Sequence, residues 1–331
     1  MTQNPHISLL HACRTDLEDK AVNIIATNAI DDEVLEILRP EPTTQLEHDE
    51  NGQCIFVKTE EGVYSYVSPG NTHEVCGLYV IAEPDQFVAF EFEEFDVSCS
   101  HRGLLSVIDG WELNGQFFPG TDDHSVPRKD RYHEYCGVTK PWKPFHMSQN
   151  VGLIEFRIPG KGEGFRVKVS FIDNHKPCNA VLQRPQGVYT LRNYGRKINC
   201  TVSIIFPESI RVLAASVAAE ERVESISPPS EKQFVETGIV KECAKRGLKD
   251  YVEIKGGDGL DPGQMVVAED FCGVDSAPSQ QKVDVACGNT AIRLVSSGEF
   301  DNSVTIAYDL YDPSLESASP SLICPTLLET P

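Results

Sequence analysis

Apolar and polar positions alternate most clearly over Gly164-Phe-Arg-Val-Lys-Val-Ser-Phe171, where Phe165, Val167, Val169 and Phe171 share one face. A period of two puts successive side chains on opposite faces of an extended strand. Runs of similar character recur at Val63-Tyr-Ser-Tyr-Val67, Phe87-Val-Ala-Phe-Glu-Phe92 and Gly152-Leu-Ile-Glu-Phe-Arg157. They continue at Val202-Ser-Ile-Ile-Phe206, Tyr251-Val-Glu-Ile254 and Val304-Thr-Ile-Ala-Tyr308, with Gly, Pro and Asp between the runs. Many short strands with regular turn signals predict an all-β chain built from β-sandwiches. Only Asp16 to Arg39 reads as weakly helical, closed by Pro40-Glu-Pro42, so residues 1–47 are expected to be a flexible acidic lead-in.

The pattern repeats at domain scale, which orders everything read after it. Cys54 and Cys76 are separated as Cys178 and Cys200 are, and Cys99-Ser-His-Arg-Gly-Leu is answered by Cys243-Ala-Lys-Arg-Gly-Leu. Each echo leads to a strand ending in glycine, Leu105 to Gly110 and Asp250 to Gly256. Each then reaches a further cysteine, Cys136 or Cys272, and a run opening on asparagine, Asn150-Val-Gly-Leu-Ile or Asn289-Thr-Ala-Ile-Arg. Asp173-Asn-His-Lys-Pro177 is the natural boundary, giving domains at 48–174 and 175–331. An insertion at 216–236, rich in Ala, Glu, Ser and Pro, reads as an acidic loop exposed to proteases.

Composition sharpens the class. Eleven cysteines in 331 residues, without a close C-x₂₋₄-C pair, fit an oxidised framework better than zinc sites. Such a framework implies secretion, and each loop closed by a Cys54–Cys76 type bond restricts the unfolded chain by roughly 3 kcal/mol. Met1-Thr-Gln-Asn-Pro leads only to the short apolar run Ile7 to Leu10, below a secretory signal, so the start is read as truncated or mispredicted, and no run is long enough to span a bilayer. A formal charge of −21 argues against nucleic acid and anionic membranes as partners. Six carboxylates and no base lie between Glu83 and Asp96, interleaved with Phe87, Phe90, Phe92 and Phe95. That stretch reads as a strand with a solvated acidic face, or as a field that steers a cationic peptide.

The candidate chemistry thins out quickly. His73-Glu-Val-Cys-Gly77 and His133-Glu-Tyr-Cys-Gly137 are not H-E-x-x-H motifs, because cysteine stands near the place of the second histidine. Gly256-Gly-Asp-Gly-Leu-Asp-Pro-Gly263 carries aspartates where a phosphate cradle needs amides and a lysine, so it reads as a turn. No G-x-S-x-G elbow exists and nothing requires catalysis, so the chain is not expected to be an enzyme. Asn199-Cys200-Thr201 is the single N-x-[ST] sequon and a candidate glycosylation site. Cys13 is left over.

These residues resemble a known family. Asp250-Tyr-Val-Glu-Ile-Lys-Gly-Gly257 among four-cysteine sandwiches is similar to CUB domains. Val107-Ile-Asp-Gly-Trp111, Ser148-Gln-Asn-Val151, Gly164-Phe165, Asn199 to Phe206, Tyr251 to Pro262 and Val295-Ser-Ser-Gly298 occur in an order similar to the corticotropin-releasing factor-binding protein family, with an invertebrate member expected. The resemblance runs from about Cys54 to Cys324. It implies two tandem CUB-like β-sandwich (jelly-roll) domains with cysteines paired in sequence: Cys54–Cys76, Cys99–Cys136, Cys178–Cys200, Cys243–Cys272 and Cys287–Cys324. Spacing alone leaves that connectivity open. The family's sequon falls where Asn199 stands.

The resemblance breaks beside Cys54. Vertebrate members carry arginine before and aspartate after the first cysteine, residues implicated in ligand capture. Here the stretch is His48-Asp-Glu-Asn-Gly-Gln-Cys54-Ile-Phe56, so no ligand-contacting residue is carried over. Calcium-binding CUB domains place an aspartate after the third cysteine, which Gly103 to Leu105 does not supply. The second copy keeps Asp250, but Val295-Ser-Ser-Gly-Glu299 lacks the aspartate usual after serine, so no metal or cofactor is expected. The implied function is a secreted protein that sequesters a corticotropin-releasing factor-like peptide, in arthropods the related diuretic hormone. The alternative is a CUB module for adhesion or assembly with another extracellular protein.

Overall fold

The computed structural model describes residues 42–48, 52–71, 74–218, 237–278, 282–314 and 319–324. The alternating strand Gly164–Asp173 lies between Gly62–Val67 and Gln86–Asp96, and Thr43–Gln45 and Phe145–His146 complete a five-stranded sheet. A second five-stranded sheet runs in the order Ile55–Lys58, Cys76–Ile81, Val151–Arg157, Leu104–Ile108, Tyr132–Tyr135. The inward residues of both sheets form one core, which includes Tyr66, Leu78, Phe90, Phe92, Val107, Phe156, Phe165 and Val167. Tyr66 and Phe156 pack at a tilt, 4.6 Å between ring centroids, and Phe156 meets Phe165 edge-on at 5.0 Å.

The acidic strand Gln86–Asp96 resolves as a solvated face. Pairing with Gly164–Asp173 shifts between Arg166 and Val167, leaving Glu93 as the extra residue of a bulge. One inserted residue lets two neighbours point the same way, so Glu93 and Glu94 both face water while Phe92 and Phe95 both reach the core. Arg166 pairs with Glu93 at 2.8 Å.

The second half repeats most of this topology, without a counterpart of Thr43–Gln45 and with an added strand, Gly238–Lys241, paired to Val266–Asp275. Ala180–Leu182, Cys200–Ile204, Asn289–Val295, Tyr251–Gly257 and Val266–Asp275 pair in the order of the first copy's second sheet. Gln186–Arg192, Ser303–Leu310, Glu208–Val217 and Lys282–Ala286 match the other sheet, with Leu322–Ile323 added at its edge. The first copy joins its two sheets by a single bridge, Val97 to Gly137. The second copy widens that bridge into a ladder of Ala215–Val217 on Gly273–Asp275, giving one continuous eleven-stranded sheet. The described residues are therefore all-β, two sandwiches in tandem, and hold one helical turn, Arg128–Asp130.

Two boundaries move from where the sequence placed them. The flexible lead-in expected at 1–47 ends sooner: Thr43–Gln45 pairs parallel with Gly62–Val67, and Leu46 is buried in the first core. Two threonines favour extended backbone and one leucine supplies the burial that docks it. The acidic insertion begins later than 216, because Ser216 and Val217 still belong to the strand Glu208–Val217. Residues 1–41, with Cys13, and 219–236 lie outside the described residues. Both sandwiches belong to one compact unit beginning at Thr43.

Candidate functional site

An antiparallel sheet that covers a core on one side ordinarily turns polar side chains to water on the other. The first copy's second sheet does not. Strand registers align Ile55, Gly77, Glu155, Ser106 and Glu134 in one outward row, and Val57, Tyr79, Leu153, Ile108 and Tyr132 in the next. Ile81 and Val151 form a third pair. The lower part of this apolar face is covered. Trp111 and Phe118, from the hairpin Trp111–Leu113 and Gln116–Phe118, cluster on it with Val181 and Leu260 of the second copy. The Trp111 Nε1–H donates to the Val80 and Gly152 carbonyls, which pins the hairpin to the sheet.

The upper edge is open. Ile55, Val57 and Val75 are 58, 59 and 57% exposed and lie together at the rim of the sheet, where Ile55–Lys58 is an edge strand. Exposed β-branched side chains grouped on one rim form a surface that association would bury favourably. Carboxylates border it. Half-buried Glu155 lies within the face, Glu112 comes from the hairpin, and Glu134 is exposed at the far strand. Burial, then the nearby Glu112, raises the Glu155 carboxyl above the ordinary range. Burial and the same two carboxylates push the Tyr79 hydroxyl up to about 12, and this hydroxyl donates to the Glu112 carbonyl at 2.7 Å.

The matching face of the second copy is already occupied. Its rows read Asn179, Thr201, Arg293, Glu253, Asp270 and Val181, Ser203, Ala291, Lys255, Val267. The segment Gly120–His124 of the first copy lies on it. Asp123, 2% exposed, accepts from Arg293 Nε and Thr201 Oγ1, both at 2.7 Å. Asn179 donates to the Asp123 carbonyl at 2.8 Å and Asn199 to the Asp122 carbonyl at 3.0 Å. Arg293 also reaches Glu253 at 3.2 Å, and Lys255 lies 3.8 Å from the same carboxylate. Burial works against the Arg293 charge, but Asp123 and Glu253 outweigh it and hold the guanidinium above its ordinary range.

The residues singled out in the sequence fall around these faces. Disulfides join Cys54 to Cys76, Cys99 to Cys136, Cys178 to Cys200, Cys243 to Cys272 and Cys287 to Cys324, with Cα separations of 4.6–6.1 Å. His48 lies beside the Cys54–Cys76 bond, but cystine sulfurs are not thiolate ligands, and its ring faces the Gly52 carbonyl and Tyr66 hydroxyl. After Cys54, Ile55 points outward and Phe56 into the core. The second near-motif is spent structurally: His133 packs beside Phe145 and Cys136 is disulfide-bonded. In the first, His73 lies outside the described residues and Cys76 is bonded to Cys54.

Asp250 is saturated by donors. It accepts from the Ser296, Ser297 and Asn302 side chains and the Ser297 amide. The glycine-rich stretch at 256–263 is closed by Asp261 accepting from the Gly263 amide at 2.8 Å, and its Leu260 enters the shared apolar cluster. Sequence reasoning missed the outer face. Its signal was present: Cys76-Gly-Leu-Tyr-Val-Ile-Ala82 and Val151 to Ile154 are unbroken apolar runs, the pattern of strands covered on both sides.

Two disulfide-stapled sandwiches in tandem, whose matching outer sheet faces have diverged so that one is occupied from within the chain and the other is exposed at its rim, define the class of protein. The model of the corticotropin-releasing factor binding protein N-terminal domain matches residues 48–173, and that of the C-terminal domain matches 180–316. The chain belongs to the corticotropin-releasing factor-binding protein family. It is 31% identical to the corticotropin-releasing factor-binding protein of Ovis aries over 79% of this chain and 76% of that one. To the Homo sapiens protein it is 33% identical over 79% and 76%. Among solved structures, the CUB1-EGF-CUB2 domains of rat MASP-1 match at 12% identity and a TM-score of 0.26, covering 77% of this chain and 99% of that one. No described helix is long and apolar enough to cross a membrane.

Proposed function

We propose that this chain is a secreted binding protein that captures a peptide hormone of the corticotropin-releasing factor class and so limits activation of the hormone's receptor. In arthropods the ligand would be the related diuretic hormone. The observation that carries the reading is the open rim of the first sheet, where Ile55, Val57 and Val75 stand exposed, with Glu155 two strands further in on the same face. An amphipathic helix fits that chemistry, with its apolar stripe on the rim and its basic side chains toward the carboxylates. The names of the relatives support the ligand class. Five disulfides support an oxidising compartment. The overall charge of −21 would speed encounter with a basic peptide. A glycan on Asn199, which we include in the proposal, would sit at the seam between the sandwiches, where this side chain meets Asp122.

Calorimetric titration with synthetic corticotropin-releasing factor, and with an arthropod diuretic hormone, tests the reading. The expected result is a dissociation constant below about 10 μM, roughly −7 kcal/mol, for at least one of them. Weaker binding by both would sink it.

A further inference from the structure

Duplication has given the molecule two versions of one surface, and the occupied version shows how such a surface takes a chain segment. Counting from the matched cystines and ladder registers, Gly77 stands where Thr201 stands, Glu155 where Arg293 stands, and Ser106 where Glu253 stands. Ile55 and Val57 occupy the places of Asn179 and Val181. In the second copy, Arg293 receives a carboxylate from the incoming segment, and the two asparagines hold that segment's carbonyls. In the first copy the central charge is reversed and the flanking polar anchors are replaced by exposed apolar ones.

The first face also lacks a cation of its own for Glu155. Among the described residues no arginine, lysine or histidine pairs with it. Arg157, next but one on the same strand, donates to the Arg102 carbonyl at 3.0 Å, and Arg128 lies over the Phe117 ring at 3.6 Å. Gly77 supplies nothing like the Thr201 hydroxyl, because the Tyr79 ring leans over it and would meet any Cβ at 2.6 Å. What the face offers is therefore one central carboxylate flanked on one side by an exposed apolar rim, with Glu112 near it and Glu134 on the opposite edge strand.

We infer that the open face binds the peptide of the preceding section through one arginine or lysine seated on Glu155, with apolar side chains on both sides of that residue resting on Ile55, Val57 and Val75. This is the contact of Asp123 with Arg293, polarity inverted. The inference rests on the hormone-binding reading and adds what that reading leaves open: which residue of the protein sets specificity, and which chemistry in the ligand it selects. A ligand without a basic residue inside its apolar stripe would be refused, because Glu155 would then be covered without a partner.

The test titrates wild type, Glu155→Gln and Glu155→Arg with synthetic corticotropin-releasing factor, and with analogues in which each arginine and lysine in turn is replaced by glutamine. Glu155→Gln should weaken binding roughly tenfold and Glu155→Arg further. One analogue should lose a similar factor against wild type and nothing more against Glu155→Gln, the coupling expected of two groups in contact. Equal binding by wild type and Glu155→Gln, or coupling to no analogue, overturns the inference while leaving the hormone reading intact. Failure of wild type to bind overturns both. Sedimentation of the protein alone covers the other occupant: a wild-type dimer abolished by Glu155→Gln would assign the face to a second copy and overturn the inference. Should Glu155→Arg fail to fold, the near-isosteric glutamine variant and its cycle decide.

Discussion

The two outer faces descend from one sequence, and the difference between them is a difference in what covers them. On the second copy, Asp123 closes over Arg293, Thr201, Glu253 and Lys255, and the buried charges satisfy one another within the chain. On the first copy, Glu155 lies half-buried on the outer face with no described cation paired to it, since Arg157 on the same strand donates to the Arg102 carbonyl. A buried ion pair holds a structure together chiefly because removing one partner is expensive. An unpaired carboxylate at the edge of an apolar rim holds nothing together; it waits for a partner from outside. One duplicated surface thus supplies the seam of the molecule and, on our proposal, its docking site.

The strongest way to break this comparison is Arg293→Met. Asp123 and Glu253, both nearly enclosed, would lose their shared cation, at a cost of about 3–5 kcal/mol. Chemical denaturation should show that loss, whereas Glu155→Gln should leave stability within about 0.5 kcal/mol of wild type. Equal effects at the two positions would mean that the faces are not divided into a seam and a site.

Much of this was legible before the structure, and the limit can be placed at particular residues. Period-two runs such as Phe165 to Phe171 indicated strands, and the repeated cysteine spacing indicated two similar sandwiches. The pairing of the faces was hidden by one residue. Matching Asn150-Val-Gly-Leu-Ile to Asn289-Thr-Ala-Ile-Arg by their asparagines sets Glu155 opposite Leu294, a core residue. The ladders instead align Phe156 with Leu294 and Glu155 with Arg293, since Cys76 pairs with Phe156 and Cys200 with Leu294. A slip of one in a strand moves every side chain to the other face, so the charge reversal could be seen only once the registers were known. Asp123 was illegible for another reason. It acts through a loop contact to a residue 170 positions away, and no local pattern announces such a partner.

The strands matching across the other sheet sharpen the comparison with a smaller effect. Gln86–Asp96 turns Glu91, Glu93, Glu94 and Asp96 to solvent, but its counterpart Glu208–Val217 opens on a fully buried carboxylate. Neither oxygen of Glu208 meets a hydrogen-bond partner among the described residues, and burial, followed by nearby Asp309, raises its carboxyl to about 8. A folded-state value above the unfolded one stabilises fully below about pH 4.5, and that contribution is lost as pH rises through 8. Wild type should therefore lose on the order of 3 kcal/mol relative to Glu208→Gln between pH 5 and pH 9. Denaturation midpoints of the two proteins across that range are the measurement. Parallel curves would show that this carboxylate is hydrated and that the second copy carries no such burden.

The smallest effect is also the most specific to the open face. Glu155 is raised by burial and by Glu112 while nothing cationic covers it. A guanidinium or ammonium arriving there favours the ionised carboxylate, so binding lowers its proton affinity and a proton must leave. Peptide affinity should accordingly strengthen as pH rises through the free-state value, which burial and Glu112 hold above the ordinary carboxylate range. Calorimetry across the mildly acidic range, repeated in buffers of different ionisation heat, should register proton release in wild type and none from this position in Glu155→Gln. The closed face provides the contrast, because Asp123 and Arg293 are already paired within the chain. Identical release by the variant would place the ligand's cation on another carboxylate, and Glu155 would then be no more than a residue that the duplication left behind.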